Sequence, residues 1–173
     1  ESMIKNPGPI HLNFRFNLPL FDKKTSKIKL SFKNKTSIDK SKPFKPFPFK
    51  KPLIICGPMD NVGEISNIIK LSEKINAPVF TEALSQLRNK GYAYYDHYIN
   101  KLEKPDIILR FGRKPSLVNT NHFLDQHKKN TFLFDPHGND NDDCPNVINI
   151  HLKHIDSLIK TNCQGDISWI KHV

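Results

Sequence analysis

The chain contains 173 residues with a net charge of +10, and 37% of its residues are hydrophobic. This length accommodates one domain with its own core plus some additional chain. No apolar stretch approaches the roughly 20 residues that cross a bilayer, which excludes a membrane-spanning helix, and the first residues lack a signal peptide's apolar core. The scattered Cys56, Cys144 and Cys163 are typical of free thiols in a reducing compartment, so we predict a cytoplasmic protein without membrane partners.

The first segment is an apolar run that has proline on both sides. Gly8-Pro9 opens it and Pro19 closes it. Because proline cannot donate to a sheet ladder, this pattern predicts a single strand with both ends fixed. A lone strand buries little, so we interpret residues 1–20 as the terminal strand of a preceding domain in a larger enzyme. Residues 8–18 are then expected to lie extended or to join a sheet as a foreign strand.

The positive charge is concentrated in one segment. Residues 21–52 contain eleven lysines and two aspartates, a net charge of +9, while the remaining residues together contribute +1. A nucleic-acid surface more often mixes arginine with lysine on a folded face, so we predict a solvated linker and no nucleic-acid partner. An arm that binds polyanions is the alternative. The phenylalanines between prolines at 43–52 favour either an extended strap or a disordered tether.

From Leu53 onward, apolar strands alternate with segments of helical periodicity. Strands are predicted at 53–56, 79–81, 106–112, 131–134 and 146–150, and helices at 61–75, 92–102, 117–126 and 155–159. Such alternation is typical of an α/β fold with a parallel sheet covered on both faces. We therefore predict a Rossmann-like, doubly wound sheet of about five or six strands over residues 53–160, followed by a tail at 161–173.

The sequence offers few candidates for catalysis or for a cofactor. Cys56-Gly57-Pro58-Met59-Asp60 lies where dinucleotide-binding folds keep a glycine-rich loop, but proline removes an amide there and aspartate repels phosphate. The histidines share no ligand spacing, and the acidic cluster at 140–143 lacks the glycine and terminal glutamate of a calcium loop. No nucleophile elbow is present. We predict no catalytic, cofactor-binding or metal-binding residues in this chain.

The arginines are the more informative residues because the chain has only four. Arg88 follows the second predicted strand, and Arg110 and Arg113 flank the end of the third. Ligands of open α/β sheets bind beyond the carboxyl ends of the strands, and arginine can grip a carboxylate there with two hydrogen bonds. Arg88, Arg110, Arg113 and Lys114 are therefore our candidate contacts for an anionic substrate or effector. Ordinary salt bridges are the alternative interpretation.

Three short motifs, in this order, resemble one enzyme family. Gly8-Pro9-Ile10-His11-Leu12-Asn13 followed by Pro19-Leu20 resembles the strand that closes the first domain of 2-succinyl-5-enolpyruvyl-6-hydroxy-3-cyclohexene-1-carboxylate synthases (SEPHCHC synthases, the MenD family). Ala83-Leu84-Ser85-Gln86-Leu87-Arg88 is similar to that family's Asp-Pro-Leu-Ser-Gly-Leu-Arg. Ile107-Ile108-Leu109-Arg110-Phe111-Gly112 is similar to its strand ending in Arg-Phe/Ile-Gly. The resemblance extends from Gly8 to about Ile159, apart from the lysine-rich linker.

This resemblance implies that the chain is the middle domain of a thiamine-diphosphate enzyme. In such enzymes the outer domains bind the pyrimidine and the diphosphate of the cofactor, together with Mg²⁺, and the subunits form a dimer or tetramer. The tail at 161–173 would lead to the diphosphate-binding domain. The parent enzyme would decarboxylate 2-oxoglutarate and add the succinyl unit to isochorismate in menaquinone or phylloquinone biosynthesis. The resemblance implies that this fragment alone is inactive and binds no cofactor.

One position departs from the family pattern. Many members read Pro-Thr-Ser-Lys-Pro after the third strand, where this chain reads Pro115-Ser116-Leu117-Val118-Asn119. Valine cannot replace an ammonium group, so either Arg113 or Lys114 substitutes for that lysine, or the substrate is held differently. Two other identities stay open at this point. One is the middle domain of another thiamine enzyme, such as an acetolactate synthase or a decarboxylase, and the other is a stand-alone anion- or nucleotide-binding α/β module.

Overall fold

The computed structural model describes residues 11, 13, 48–59, 65–135, 142–148 and 164–171. The chain divides into two compact units, 1–39 and 40–173, and the fold below belongs to the second. Of the predicted strand at 8–18, only His11 and Asn13 are described, and both are exposed. The helix predicted at 155–159 and the start of the one predicted from Asn61 lie outside the described residues.

Five parallel strands form one sheet in the order β2-β1-β3-β4-β5. The strands are β1 (Pro52–Cys56), β2 (Val79–Thr81), β3 (Ile107–Phe111), β4 (Thr131–Phe134) and β5 (Val147–Ile148). The α-helices are α1 (Ile65–Ile75), α2 (Val118–Gln126) and α3 (Ile167–Lys171). The predicted Rossmann-like α/β fold is confirmed. In this order the chain reverses direction across the sheet between β1 and β3, which is the switch point where such folds bind ligands.

The two faces of β1 pack against different helices. Ile54 and Cys56 belong to a buried cluster that includes the apolar side of α1, whereas Leu53 and Ile55 belong to a second cluster that includes Phe123 of α2. Side chains alternate between the faces of a strand, so a strand buried on both faces is an unbroken apolar run. The expected cover of helices on both faces is therefore confirmed in the described part of the chain.

The prediction of a helix at 92–102 is wrong. The chain forms two short 3₁₀ turns instead, Tyr95–His97 and Ile99–Lys101. Tyr95 and Ile99 are nonetheless buried at the helical spacing of four, and the Tyr95 ring stacks on Phe80 with centroids 4.5 Å apart. The carbonyl oxygen of Asp96 accepts a hydrogen bond from the side chain of Asn119 at 3.2 Å rather than continuing a helix. Tertiary contacts have overridden a weak local preference.

The C-terminus of α1 shows why the sequence stops the helix there. Asn76 adopts a left-handed conformation with φ of 53°, and the amide of Ala77 donates to the carbonyl oxygen of Ser72 at 3.0 Å. This is a Schellman motif, in which asparagine replaces the usual glycine. Pro78 then prevents continuation, as predicted, and the chain enters β2.

The amino edge of the sheet is closed by the segment 164–171. Trp169 of α3 is 2% exposed, and its indole Nε1 donates to the carbonyl oxygen of Pro52 at 2.6 Å. The amide of Gly165 donates to Ile75 and that of Asp166 to Lys50, at 2.7 and 2.8 Å. The predicted boundary at 160 and the assignment of 161–173 as a connecting tail stay predictions. None of the helices in the described ranges combines the length and apolarity that a bilayer crossing demands.

Candidate functional site

Three loops meet at the carboxyl edge of the sheet, and we call them the carboxyl-edge loops. They are residues 57–59 after β1, 82–88 after β2 and 112–117 after β3. Arg88, Arg113 and Lys114 lie on these loops with exposed side chains, whereas Arg110 lies within β3 and is only 3% exposed. The structure thus places Arg113 and Lys114 in the loop that leaves the carboxyl end of β3. Arg88 lies farther from the end of β2, shortly before Tyr92, whose amide donates to Val79 O at 2.8 Å.

Backbone hydrogen bonds join the three loops to one another. The loop after β1 is central, since Met59 N donates to Leu84 O at 3.0 Å and Arg113 N donates to Pro58 O at 2.9 Å. Gly57 N also donates to Phe111 O at 2.9 Å. Because these bonds run through the main chain, Leu84, Pro58 and Arg113 are fixed relative to one another.

The closeness of these loops depends on two glycines. A Cβ atom on Gly57 would lie 2.0 Å from the carbonyl oxygen of Arg113, and one on Gly112 would lie 2.6 Å from that of Pro58. Gly112 also has a φ of +78°, which other residues rarely adopt. In dinucleotide-binding folds, glycines at this point let the backbone approach a pyrophosphate. Here the two glycines instead let the backbones of the loops after β1 and β3 approach each other.

Glu82 connects the loop after β2 to the loop after β3. Its carboxylate Oε1 accepts hydrogen bonds from Ser116 N at 2.7 Å, Leu117 N at 3.2 Å and Ser116 Oγ at 3.3 Å. The residue is only 5% exposed, and its amide donates to Cys56 O at 3.1 Å. A nearly buried carboxylate needs such donors, because burial without them costs several kcal/mol. Glu82 therefore links the end of β1 to the loop that leads from β3 into α2.

Asp96 caps the same helix, α2, from the other side. Its Oδ1 accepts from the backbone N and from Oγ1 of Thr120, both at 2.8 Å, and its Oδ2 accepts from Asn119 Nδ2 at 3.1 Å. The free amides at a helix N-terminus ordinarily attract an anionic ligand. At α2 the carboxylates of Glu82 and Asp96 accept from the amides of Leu117 and Thr120, so an external anion at this helix end would meet two negative charges.

Arg110 forms a buried ion pair with Asp142. Its Nη1 donates to Oδ1 at 2.9 Å and its Nη2 donates to Oδ2, while Cys144 N donates to Oδ1 at 3.0 Å. Both side chains are almost fully buried. Burial by itself raises the pKa of the Asp142 carboxyl, but the hydrogen bonds and charge of Arg110 outweigh it and lower that pKa below its usual value. The guanidinium is thus already neutralised within the protein.

A cleft lies beside this pair, between α2 and the segment 142–145. It encloses about 310 Å³ of empty space, part of which is open to solvent. Its wall carries three cationic and three anionic side chains, namely Arg110, Lys114, Lys128, Asp125, Asp142 and Asp143. Lys114 pairs with Asp143 at 3.1 Å and Lys128 with Asp125 at 3.1 Å. The charges in this cleft are balanced, so it offers an anion no net attraction.

Arg110 and Lys114 line this one cleft, which does not include Arg88 or Arg113. Val118, which stands where many SEPHCHC synthases have lysine, is the first residue of α2 and is exposed. The roles of Glu82 and Asp96, which both lie in the connection between β2 and β3, were not predicted, because no local pattern marks them. The role of Asp142, one of the acidic residues at 140–143, was not predicted either. In the described ranges no group of three acidic, histidine or cysteine side chains could hold a metal ion.

Comparison with known proteins finds similarity to one kind of enzyme, although no family model matches the chain. The chain is 27% identical over 133 residues to a 2-succinyl-5-enolpyruvyl-6-hydroxy-3-cyclohexene-1-carboxylate synthase of Geobacillus kaustophilus, covering 62% of this chain. Proteins of the same name from Oceanobacillus iheyensis and Haloarcula marismortui are 30% and 24% identical over 64% and 80% of this chain. The matched part amounts to 23%, 23% and 30% of these three relatives, so the chain spans less than a third of their length.

Proposed function

We propose that the chain is the central, non-catalytic domain of a SEPHCHC synthase, since it is similar to several SEPHCHC synthases over part of their length. The observation that carries the proposal is the closed switch point between β1 and β3. Where a cofactor-binding relative of this fold keeps space for a pyrophosphate, Gly57 and Gly112 let the backbones of two loops meet. A domain built in this way supports and orients its neighbours.

The residues described in this chain do not fit thiamine diphosphate. One helix end at the carboxyl edge, the N-terminus of α2, already has the carboxylates of Glu82 and Asp96 bonded to its amides. Negative charge there repels a diphosphate. The cofactor and Mg²⁺ would be held by the flanking domains of the same subunit. As the resemblance implies, the parent enzyme would decarboxylate 2-oxoglutarate and transfer the succinyl unit to isochorismate, as a cytoplasmic dimer or tetramer.

Within this proposal, the domain would supply cations to the mouth of the active site. The substrates are carboxylates, and exposed arginine and lysine side chains at the carboxyl edge suit them. Arg88, Arg113 and Lys114 have the required exposure. Arg110 belongs to the predicted set as well, but it would contribute only if its pair with Asp142 opened. Arg113 and Lys114 remain the two candidates to replace the family's lysine, whose position is occupied by Val118 in this chain.

The proposal is tested by moving the domain into a relative. Residues 53–160 would replace the matching segment of the Geobacillus kaustophilus synthase, and the chimera would be assayed with 2-oxoglutarate, isochorismate, thiamine diphosphate and Mg²⁺. We expect measurable product from the chimera and none from the isolated chain. Calorimetry should likewise detect no binding of thiamine diphosphate to the isolated chain.

Two controls make the result interpretable. The unmodified synthase measures full activity, and a chimera that carries an unrelated α/β domain of equal length measures the effect of a mere spacer. Product formation by the isolated chain would contradict the non-catalytic role. An inactive chimera that folds and binds thiamine diphosphate would show that this domain does not serve a SEPHCHC synthase of that type.

A further inference from the structure

We infer that Glu82 is a positioning residue for the anion contacts of the carboxyl edge, an inference that rests on the proposed function. The described bonds of the Glu82 carboxylate reach no exposed cation. They go to the backbone amides of Ser116 and Leu117 and to the hydroxyl group of Ser116. Those residues end the loop that carries Arg113 and Lys114. Glu82 itself begins the loop that carries Arg88. One carboxylate thus holds together the two loops from which all three exposed cations project.

The hydrogen bonds around Glu82 continue toward Arg88. The carbonyl oxygen of Glu82 accepts from the hydroxyl of Ser85 at 2.6 Å, and that hydroxyl in turn accepts from Leu87 N at 3.2 Å. Leu87 is fully buried and immediately precedes Arg88. Two buried hydrogen bonds therefore join the Glu82 backbone to the residue before Arg88.

Both the charge and the length of the Glu82 side chain suit this role. Hydrogen bonds from backbone N–H groups to a carboxylate are stronger than those between neutral groups, and an anion at the N-terminus of α2 interacts favourably with the helix dipole. Asp96 caps the same helix through Thr120 and Asn119, but none of its described bonds reaches a loop that carries Arg88 or Arg113. The two carboxylates therefore differ in what they position, although both stabilise α2.

This difference supplies a matched pair of variants. In the full-length synthase that carries this domain, E82A should raise the KM for 2-oxoglutarate or isochorismate about tenfold and change kcat by less than about threefold. D96A should lower thermal stability but leave both KM values within about twofold of the parent. E82Q, which retains an acceptor oxygen of the same reach, should restore most of the KM. If E82A does not fold, E82D, whose carboxylate is one methylene shorter, carries the same test.

A double-mutant cycle distinguishes positioning from general damage. If Glu82 acts through the arginines, E82A should add little to the KM of R113A or R88A, because the contact it positions is already gone. Additive KM effects, or an equal rise of KM in D96A, would overturn the positioning role while leaving the anion contacts intact. Unchanged KM values in R88A, R113A and K114A would reject the anion contacts themselves, and the positioning role with them.

Discussion

The two edges of the sheet differ in the side chain that is buried there, an indole ring at one and a carboxylate at the other. At the amino edge, Trp169 and the backbone of 164–166 close the sheet with a buried indole ring and neutral hydrogen bonds. Asp106 Oδ2 also accepts there from Lys50 N and Lys51 N, at 2.8 and 3.0 Å, and Lys51 pairs with Glu103 at the surface. At the carboxyl edge, the charged residues Glu82, Asp96 and Arg113 lie on or between the loops, and the contacts join carboxylates to amides. Segments that precede and follow the sheet meet at the first edge, and exposed cations gather at the second.

We expect the buried Trp169 contact to matter chiefly for stability and the exposed cations of the carboxyl edge to matter chiefly for ligands. Neutral bonds in an apolar setting are insensitive to pH and salt, whereas charge pairs depend on both. Perturbing the amino edge should therefore unfold the domain without a specific effect on ligands. Perturbing the exposed charges of the carboxyl edge should affect ligands with little effect on folding. Each prediction below tests one part of this division.

The largest effect is expected from W169A at the amino edge. Removing a buried tryptophan leaves a cavity and an unpaired carbonyl at Pro52, so the free energy of unfolding should fall by about 3–5 kcal/mol. Urea denaturation followed by circular dichroism measures it. I167A, at an exposed position on the same helix, should change it by less than about 0.5 kcal/mol. An unchanged midpoint in W169A would show that the 164–171 segment is not part of the cooperative fold.

The next largest effect is expected from R110A. The variant leaves the Asp142 carboxylate buried without its partner, which should cost about 3 kcal/mol of unfolding free energy. The double variant R110M/D142L replaces the pair with apolar groups and should be more stable than R110A. The same urea experiment compares the three proteins. A double variant no more stable than R110A would mean that the loss reflects packing and not an uncompensated charge.

Acid should remove the contribution of the Arg110–Asp142 pair. The pKa of Asp142 is lowered in the folded state, while in the unfolded chain it lies near about 3.9. The stabilisation is therefore complete above about pH 4 and is lost as the pH falls further, through the folded pKa. The stability difference between the parent and D142N, measured by urea denaturation from neutral to acidic pH, should shrink in that window. The stability difference between the parent and W169F should not change with pH, since the hydrogen bond lost there, from the indole to Pro52 O, joins neutral groups.

The smallest effect on folding is expected from K114A. Lys114 pairs with Asp143 at the surface, where both side chains are largely exposed, and such pairs contribute at most about 1 kcal/mol. Thermal unfolding should shift little, and added salt should reduce the shift further. In the full-length synthase the same variant should raise the KM for a carboxylate substrate. A large loss of stability without a change in KM would place Lys114 on the structural side of the division.

The local pattern was enough to predict most of the fold. Apolar runs bounded by glycine and proline located the strands, and Asn76-Ala77-Pro78 correctly ended α1. The segment 92–102 was misassigned because its apolar spacing is also compatible with a helix. Only the packing of Tyr95 on Phe80 and the use of Asp96 as a cap favoured separate turns. Backbone conformation there is decided by partners that are distant in sequence.

The place of Arg113 and Lys114 in the fold was predictable, but the pairing of charged residues was not. Strand ends rich in arginine indicated the carboxyl edge, and Arg113 and Lys114 lie in the loop after β3. Nothing in the sequence indicated that Arg110 would be neutralised by Asp142, which lies 32 residues away. The same is true of Glu82 and Ser116, which are 34 residues apart. Ion pairs and caps between distant segments have no local signature.

The sequence by itself determined the class of fold, the order of its strands and helices, and the family that the chain resembles, because apolar periodicity and short motifs are local properties. The tertiary structure alone decided that Gly57 and Gly112 let the loops after β1 and β3 approach each other and that α2 is capped by carboxylates from other loops. It also decided that Trp169 belongs to the amino edge. Each of these features arises from groups brought together by folding, whose burial makes a partner necessary.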